Sequence, residues 1–309
     1  MQYDSCGAFP GKPARRARIL FHASVLPSLL MLALLLAPPS AWAKPPVWIL
    51  RDQDSEITIF GSVHVLPEGL DWRPAALDRA LARADDIWFE TALDAAGLLA
   101  AQRETVARGW LPTGQSLSAL LSPDGRVRLA RAAAALNLSV TELDRMRPWY
   151  AELTLATALY LSGGATGLNG VERQLALAAP NAARRSFETP AEQVAVFADS
   201  PLAEQLASLE QTLSQIDAAP GDYGRLVRAW MRGDVQALDV QAVRPLRRTA
   251  PRLYAALVAR RNARWADRLV RRLHGSGRTV VVVGVGHLVG PDGLPAMLRA
   301  RGLKVEGPR

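Results

Sequence analysis

The chain has 309 residues, 49% hydrophobic and 21% charged, with a formal net charge of +8 and one cysteine, Cys6. With no thiol after position 6, residues 7–309 can hold no disulfide, cysteine nucleophile, thiolate metal site or iron–sulfur cluster.

Lys12, Arg15, Arg16 and Arg18 precede a short apolar run over residues 25–37, and Ala41-Trp42-Ala43 has the small-x-small form of a cleavage site. The run is too short to span a bilayer comfortably, and Pro27, Pro38 and Pro39 fall within and after it. Residues 1–43 therefore read as a signal peptide cleaved near Ala43, leaving a periplasmic or secreted domain over residues 44–309. Removing this segment takes away four basic residues and one acid, leaving a net charge of +5. Much of the remaining excess is arginine within residues 244–252 and 260–272, with few aromatics between. That is the pattern of solvated helix faces rather than of a nucleic-acid surface, and it leaves open a peripheral attraction to the envelope membrane.

The mature chain opens with apolar stretches at residues 47–50 and 57–60, separated by Asp52-Gln53-Asp54-Ser55, which predicts a β-hairpin. The second stretch runs into Gly61-Ser62-Val63-His64. Residues 74–84 then show helical spacing, and residues 86–89 read as a strand ending at Glu90. Residues 93–181 are rich in Ala and Leu and predict helices, broken at residues 163–167. Ser139 and Glu142 have the spacing of a capping box. A short strand is expected at 184–188, followed by helices at 190 onward, 202–215, 222–232 and 251–273. Residues 279–283 form a continuous β-branched run typical of a strand buried on both faces, feeding Gly284-Val285-Gly286-His287. A helix over 294–301 and an edge strand over 303–306 close the chain. The whole predicts an α/β fold, a central mixed sheet flanked by helices, with a large helical insertion over about residues 93–275.

Both ends of the mature chain thus carry a strand leading to G-x-x-H. Open sheets bind ligands where strands end, and a glycine there permits a sharp exit, so His64 and His287 are expected at one crevice rim. Two imidazoles and a carboxylate make a hydrolytic metal set with open positions. Glu90, at the end of its strand, is the expected third ligand of a divalent ion (Mn, Co or Zn). Glu188, at another strand exit, is the expected proton carrier, and Arg261 the expected oxyanion contact. A buried Glu188–Arg261 ion pair would account for both without catalysis.

The ordered set Gly61-Ser62-Val63-His64, Phe89-Glu90, Phe187-Glu188-Thr189 with Gln193, Arg261-Asn262 ahead of Trp265, and Gly284-Val285-Gly286-His287 with Gly290 and Pro295 resembles the landmarks of the TraB/PrgY/GumN family. The resemblance implies a fold similar to that of erythromycin esterase and ChaN-like proteins. It also implies kinship with the Tiki proteases, which act as metal-dependent peptidases on extracellular substrates, and it points at His64, Glu90, Glu188, Arg261 and His287. The expected activity is that of a metal-dependent hydrolase on a peptide or protein; the competing expectation is a non-catalytic module binding an envelope peptide or partner.

Two other chemistries are weaker. Ser62 lies beside His64, but its loop lacks the second flanking glycine of a nucleophile elbow. Gly284-x-Gly286-x-x-x-Gly290 with Glu306 imitates a dinucleotide fingerprint, yet Pro291-Asp292-Gly293 falls where the phosphate-binding helix would run.

Overall fold

The computed structural model describes residues 44–166, 170–218 and 222–308, all within the unit Trp42–Arg309; the expected signal peptide lies outside the described residues. The elements, in chain order, begin with β1 (Val47–Arg51), β2 (Ser55–Ser62), β3 (Leu66–Pro67), α1 (Ala75–Leu81), β4 (Asp86–Phe89) and α2 (Ala95–Arg108). There follow α3 (Leu117–Leu120), α4 (Pro123–Ala135), α5 (Val140–Leu143), α6 (Pro148–Ser162), β5 (Ala165–Thr166), α7 (Val171–Ala178) and β6 (Ala183–Ser186). Next come α8 (Pro190–Ala198), α9 (Leu202–Ala218), α10 (Asp222–Met231), α11 (Val235–Leu238), α12 (Arg244–Thr249), α13 (Pro251–Tyr254) and α14 (Arg260–Leu273). The chain finishes with β7 (Gly277–Gly284), α15 (Leu294–Ala300) and β8 (Val305–Glu306).

Six strands form a mixed sheet in the order β6-β4-β7-β2-β1-β8. β1 and β2 make the expected antiparallel hairpin, whereas β2, β7, β4 and β6 are mutually parallel neighbours. β7 joins the two ends of the domain because its valines serve both faces of the sheet. Val280 and Val282 enter the core beneath Phe60, Trp72 and Trp230, while Val281 and Val283 pack with Trp265 and Leu269 of α14 and Leu294 and Leu298 of α15. A third apolar cluster, centred on Leu117, Leu129, Leu155 and Leu209, holds α3, α4, α6 and α9 together as a helical cap.

The helical region expected over 93–275 is interrupted by β6, which hydrogen-bonds to β4; after that strand α9 returns to pack with the cap helices α3, α4 and α6. Ser139 does cap α5, through the Glu142 N–H. The reciprocal pair, however, is Thr189 and Glu192 at the start of α8, where Glu192 reaches back to the Thr189 N–H. The helix expected over 251–273 contains a π-helical turn, Ala255–Ala259, which shifts the register just before Arg261. No described helix is long and apolar enough to cross a membrane.

Candidate active site

The parallel register decides what meets at the sheet's carboxyl edge. Ser62 lies opposite Gly284, Phe89 opposite Val282, and Phe89 also opposite Ser186. His64, Glu90, Glu188 and His287 are all one to three residues beyond those positions, so four distant stretches of chain open into one crevice.

Glu90 is the hub. Its Oε1 accepts the Gly284 N–H at 2.7 Å, and its Oε2 accepts from Arg261 Nη2 at 2.8 Å and Gln193 Nε2 at 3.2 Å. Burial alone would raise its pKa. The neighbouring His287, Arg261 and His64, with the Gly284 N–H, outweigh burial and hold it down to about 2.

Arg261 is buried beneath the crevice, its guanidinium spread over three side-chain partners. Nε donates to Glu188, Nη2 bridges Glu188 and Glu90, and Nη1 lies 3.0 Å from His287 Nε2. Nη1 also donates to the Leu257 carbonyl at 3.1 Å, inside the π-helical turn. Burial works against its charge, and the two carboxylates overcome it, so its pKa is raised. Glu188 is enclosed by further donors from Arg264 and Trp265, at 3.1 Å each.

The hydrogen bonds of His287 fix its tautomer. Asn262 Nδ2 donates to the carbonyls of His287 and Asp292, which turns the amide oxygen toward His287 Nδ1 at 2.7 Å. An amide oxygen only accepts, so Nδ1 carries the proton and Nε2 presents its lone pair to Arg261. Burial pushes the His287 pKa down to about 4, keeping the ring neutral.

His64 is held differently. Its side chain is 72% exposed, and Nδ1 donates to Glu172 Oε1 at 2.6 Å, an oxygen that also accepts from Ser62 Oγ at 2.5 Å. The Glu172 carboxylate raises the His64 pKa to about 9. Burial raises the Glu172 pKa, but the His64 charge and these hydrogen bonds reverse the effect and lower it. His64 Nε2 and Glu90 Oε1 both lie within 4 Å of the point where a side chain on Gly284 would begin, so the glycine keeps open the space between them.

His64, Glu90 and Glu172 line a cavity of about 780 Å³ whose other walls are largely apolar; Glu188, Arg261 and His287 are behind it. As a metal site the arrangement is incomplete. Among the described residues no three His, Asp or Glu side chains gather closely enough to hold an ion, and the His287 lone pair is engaged by Arg261. His64 Nε2 and Glu90 Oε1 do present suitable donors to one space.

Of the five residues expected from sequence, Glu90, Glu188, Arg261 and His287 form one hydrogen-bonded network, and His64 stands across Gly284 from it. Sequence reasoning missed Glu172. Its signal was a carboxylate in the first turn of α7, two residues after Gly170, in a stretch read only as helical beyond the break at residues 163–167. Ser62 is buried and donates to Glu172, which places it as a support for that carboxylate. The dinucleotide imitation fails structurally: Val285–His287 is a single 3-10 turn, and Glu306 pairs with Arg51 on the edge strand.

A model of the TraB/PrgY/gumN family matches residues 46–307. The chain is similar to the uncharacterized protein YbaP of Escherichia coli K12, at 24% identity over 257 residues, covering 82% of this chain and 92% of that protein. It is similar also to YbaP of Shigella flexneri, at 24% identity over 243 residues, covering 78% and 87%. No solved structure matches.

Proposed function

The chain belongs to the TraB/PrgY/gumN family, and from that premise we propose that it is a hydrolase of amide bonds in peptides or proteins, acting outside the cytoplasm once a leader is removed near Ala43. One observation carries the reading: the His64 ring, anchored through Nδ1 on Glu172, turns Nε2 toward Glu90 across Gly284 at the wall of a large cavity.

In its neutral form His64 Nε2 takes a proton from a water lying between it and Glu90. The water oxygen attacks the scissile carbonyl, Glu172 balances the imidazolium that forms, and that imidazolium returns the proton to the leaving amine. Glu90, kept ionised by Arg261 and the Gly284 N–H, orients the water. In this scheme Glu188 and Arg261 hold Glu90 and His287 in place, a role different from the proton carrier and oxyanion contact expected from sequence. A divalent ion, where supplied, would be held by His64 and Glu90, with His287 joining on release from Arg261, and would polarise the carbonyl and acidify the water.

The test is a peptide library digested by the wild type, His64→Ala and the His64→Ala/His287→Ala double variant, read by mass spectrometry with and without added Mn, Co or Zn. Cleavage by the wild type alone supports the proposal, and a requirement for metal adds the ion to it. Equal cleavage by all three overturns it, as does peptide binding without turnover, which is the behaviour of a binding module.

A further inference from the structure

The cavity beside His64 and Glu90 has a composition that the proposed chemistry does not require. Leu98 on α2, Leu153 on α6 and Leu177 on α7 all line it and are 55%, 46% and 73% exposed. Three leucines from three helices, left in water around one opening, form a contiguous apolar surface of the kind that marks a ligand groove rather than scattered surface residues. Trp149 and Phe197, stacked on each other with ring centroids 6.0 Å apart, extend the same wall.

The charges on the wall do not cancel. Glu90 is matched by Arg261 and Glu172 by His64. Arg173 and Arg184 also line the cavity; among the described residues Arg184 donates only to the Ala176 carbonyl and Arg173 has no ion pair. The opening therefore carries surplus positive charge next to its apolar wall.

We propose that the site takes an anionic amphiphile, whose long aliphatic or aromatic arm lies along Leu98, Leu153 and Leu177 and whose acidic group meets Arg173. This deepens the hydrolytic reading and rests on it: the apolar arm flanks the carbonyl presented to His64. At 780 Å³ the cavity exceeds what one side chain fills and falls in the range of ligand pockets.

Binding tests the subsite without turnover. Isothermal titration of the full chain with dodecanoate, hexanoate and dodecyltrimethylammonium, each below its micelle concentration, separates chain length from charge. Each buried methylene multiplies affinity about fourfold, so dodecanoate is expected to bind at least about tenfold more tightly than hexanoate, and more tightly than the cation of equal chain length. Leu153→Asp/Leu177→Asp changes exposed positions only and is expected to abolish the dependence on chain length, with far-ultraviolet circular dichroism confirming the fold. Arg173→Glu is expected to reverse the preference between the anion and the cation. Uptake from solution assigns a soluble amphiphile, and uptake only from phosphatidylcholine vesicles containing dodecanoate a membrane-resident one. No dependence on chain length, or binding indifferent to both variants, overturns the proposal. Binding as expected with no library peptide cleaved sinks the hydrolytic reading and leaves the subsite standing.

Discussion

His64 and Glu172, 108 positions apart, are joined by a 2.6 Å hydrogen bond between Nδ1 and Oε1 at the mouth of the crevice. The bond sets which imidazole nitrogen faces the cavity and how strongly it holds a proton. A histidine with an ionised partner on one nitrogen is a stronger base at the other, and Glu172 is ionised because Ser62 and the His64 charge stabilise its anion.

The first prediction concerns titration. In the wild type the His64 ring is expected to titrate near pH 9 by proton NMR, and in Glu172→Gln near the ordinary histidine value of about 6.5. Because the folded pKa is raised, the pair stabilises the fold fully below about pH 6.5, and that contribution fades as pH rises through about 9. The rate of hydrolysis should climb through the same upper range, where His64 becomes a neutral base. A wild-type ring titrating near 6.5 would remove Glu172 from the mechanism.

His287 gives the opposite sign. Its folded pKa of about 4 is below the unfolded value, so the unfolded chain binds the extra proton first and stability falls as pH drops from about 6.5 through about 4. Denaturant melts across that window should show a shallower decline in His287→Gln than in the wild type. Parallel declines would place the acid sensitivity elsewhere.

Arg261 is expected to matter to the fold before it matters to chemistry. Arg261→Met leaves Glu188 and Glu90 buried without their cation, a change that costs about 3–5 kcal/mol. Arg261→Lys keeps the charge but not the fork that serves Glu188, Glu90 and His287 together, and should fall between the two. Urea unfolding midpoints check the order; an unchanged midpoint in Arg261→Met would mean that the network contributes nothing to stability.

Gly284→Ala tests the open space between His64 and Glu90. The added methyl would begin 3.1 Å from Glu90 Oε1 and 3.7 Å from His64 Nε2, closer to the carboxylate than ordinary contact allows. Turnover should drop by at least about tenfold, with a small change in melting temperature, since the backbone angles at Gly284 suit any residue. Ser62→Ala, by contrast, should retain activity within about a few fold, because a support for Glu172 is lost and no nucleophile is.

The strands and the two histidine turns were legible because they are local. Alternating or continuous apolar runs announce β1, β2, β4 and β7, and the glycines at the ends of β2 and β7 announce where the chain leaves the sheet there. What joins Glu90 to Gly284, or Arg261 to three partners, depends on β7 threading between β4 and β2, an order that no local pattern encodes. Glu172 was invisible for the same reason. An acid in the first turn of a helix is favourable at almost any N-terminus, and only the Val171 N–H docking on the Val63 carbonyl brings this one beside His64.

The amino-acid sequence by itself determined the α/β class, the parallel core strand at β7 and the residue types available for chemistry, since these follow from hydrophobic periodicity and side-chain identity. The tertiary structure alone decided which of those residues face the cavity and which lie behind it. Burial and pairing, not residue type, put His64 in its proton-holding state and His287 in its neutral one. Both depend on the distance to a charge or to water, which exists only once the chain has folded.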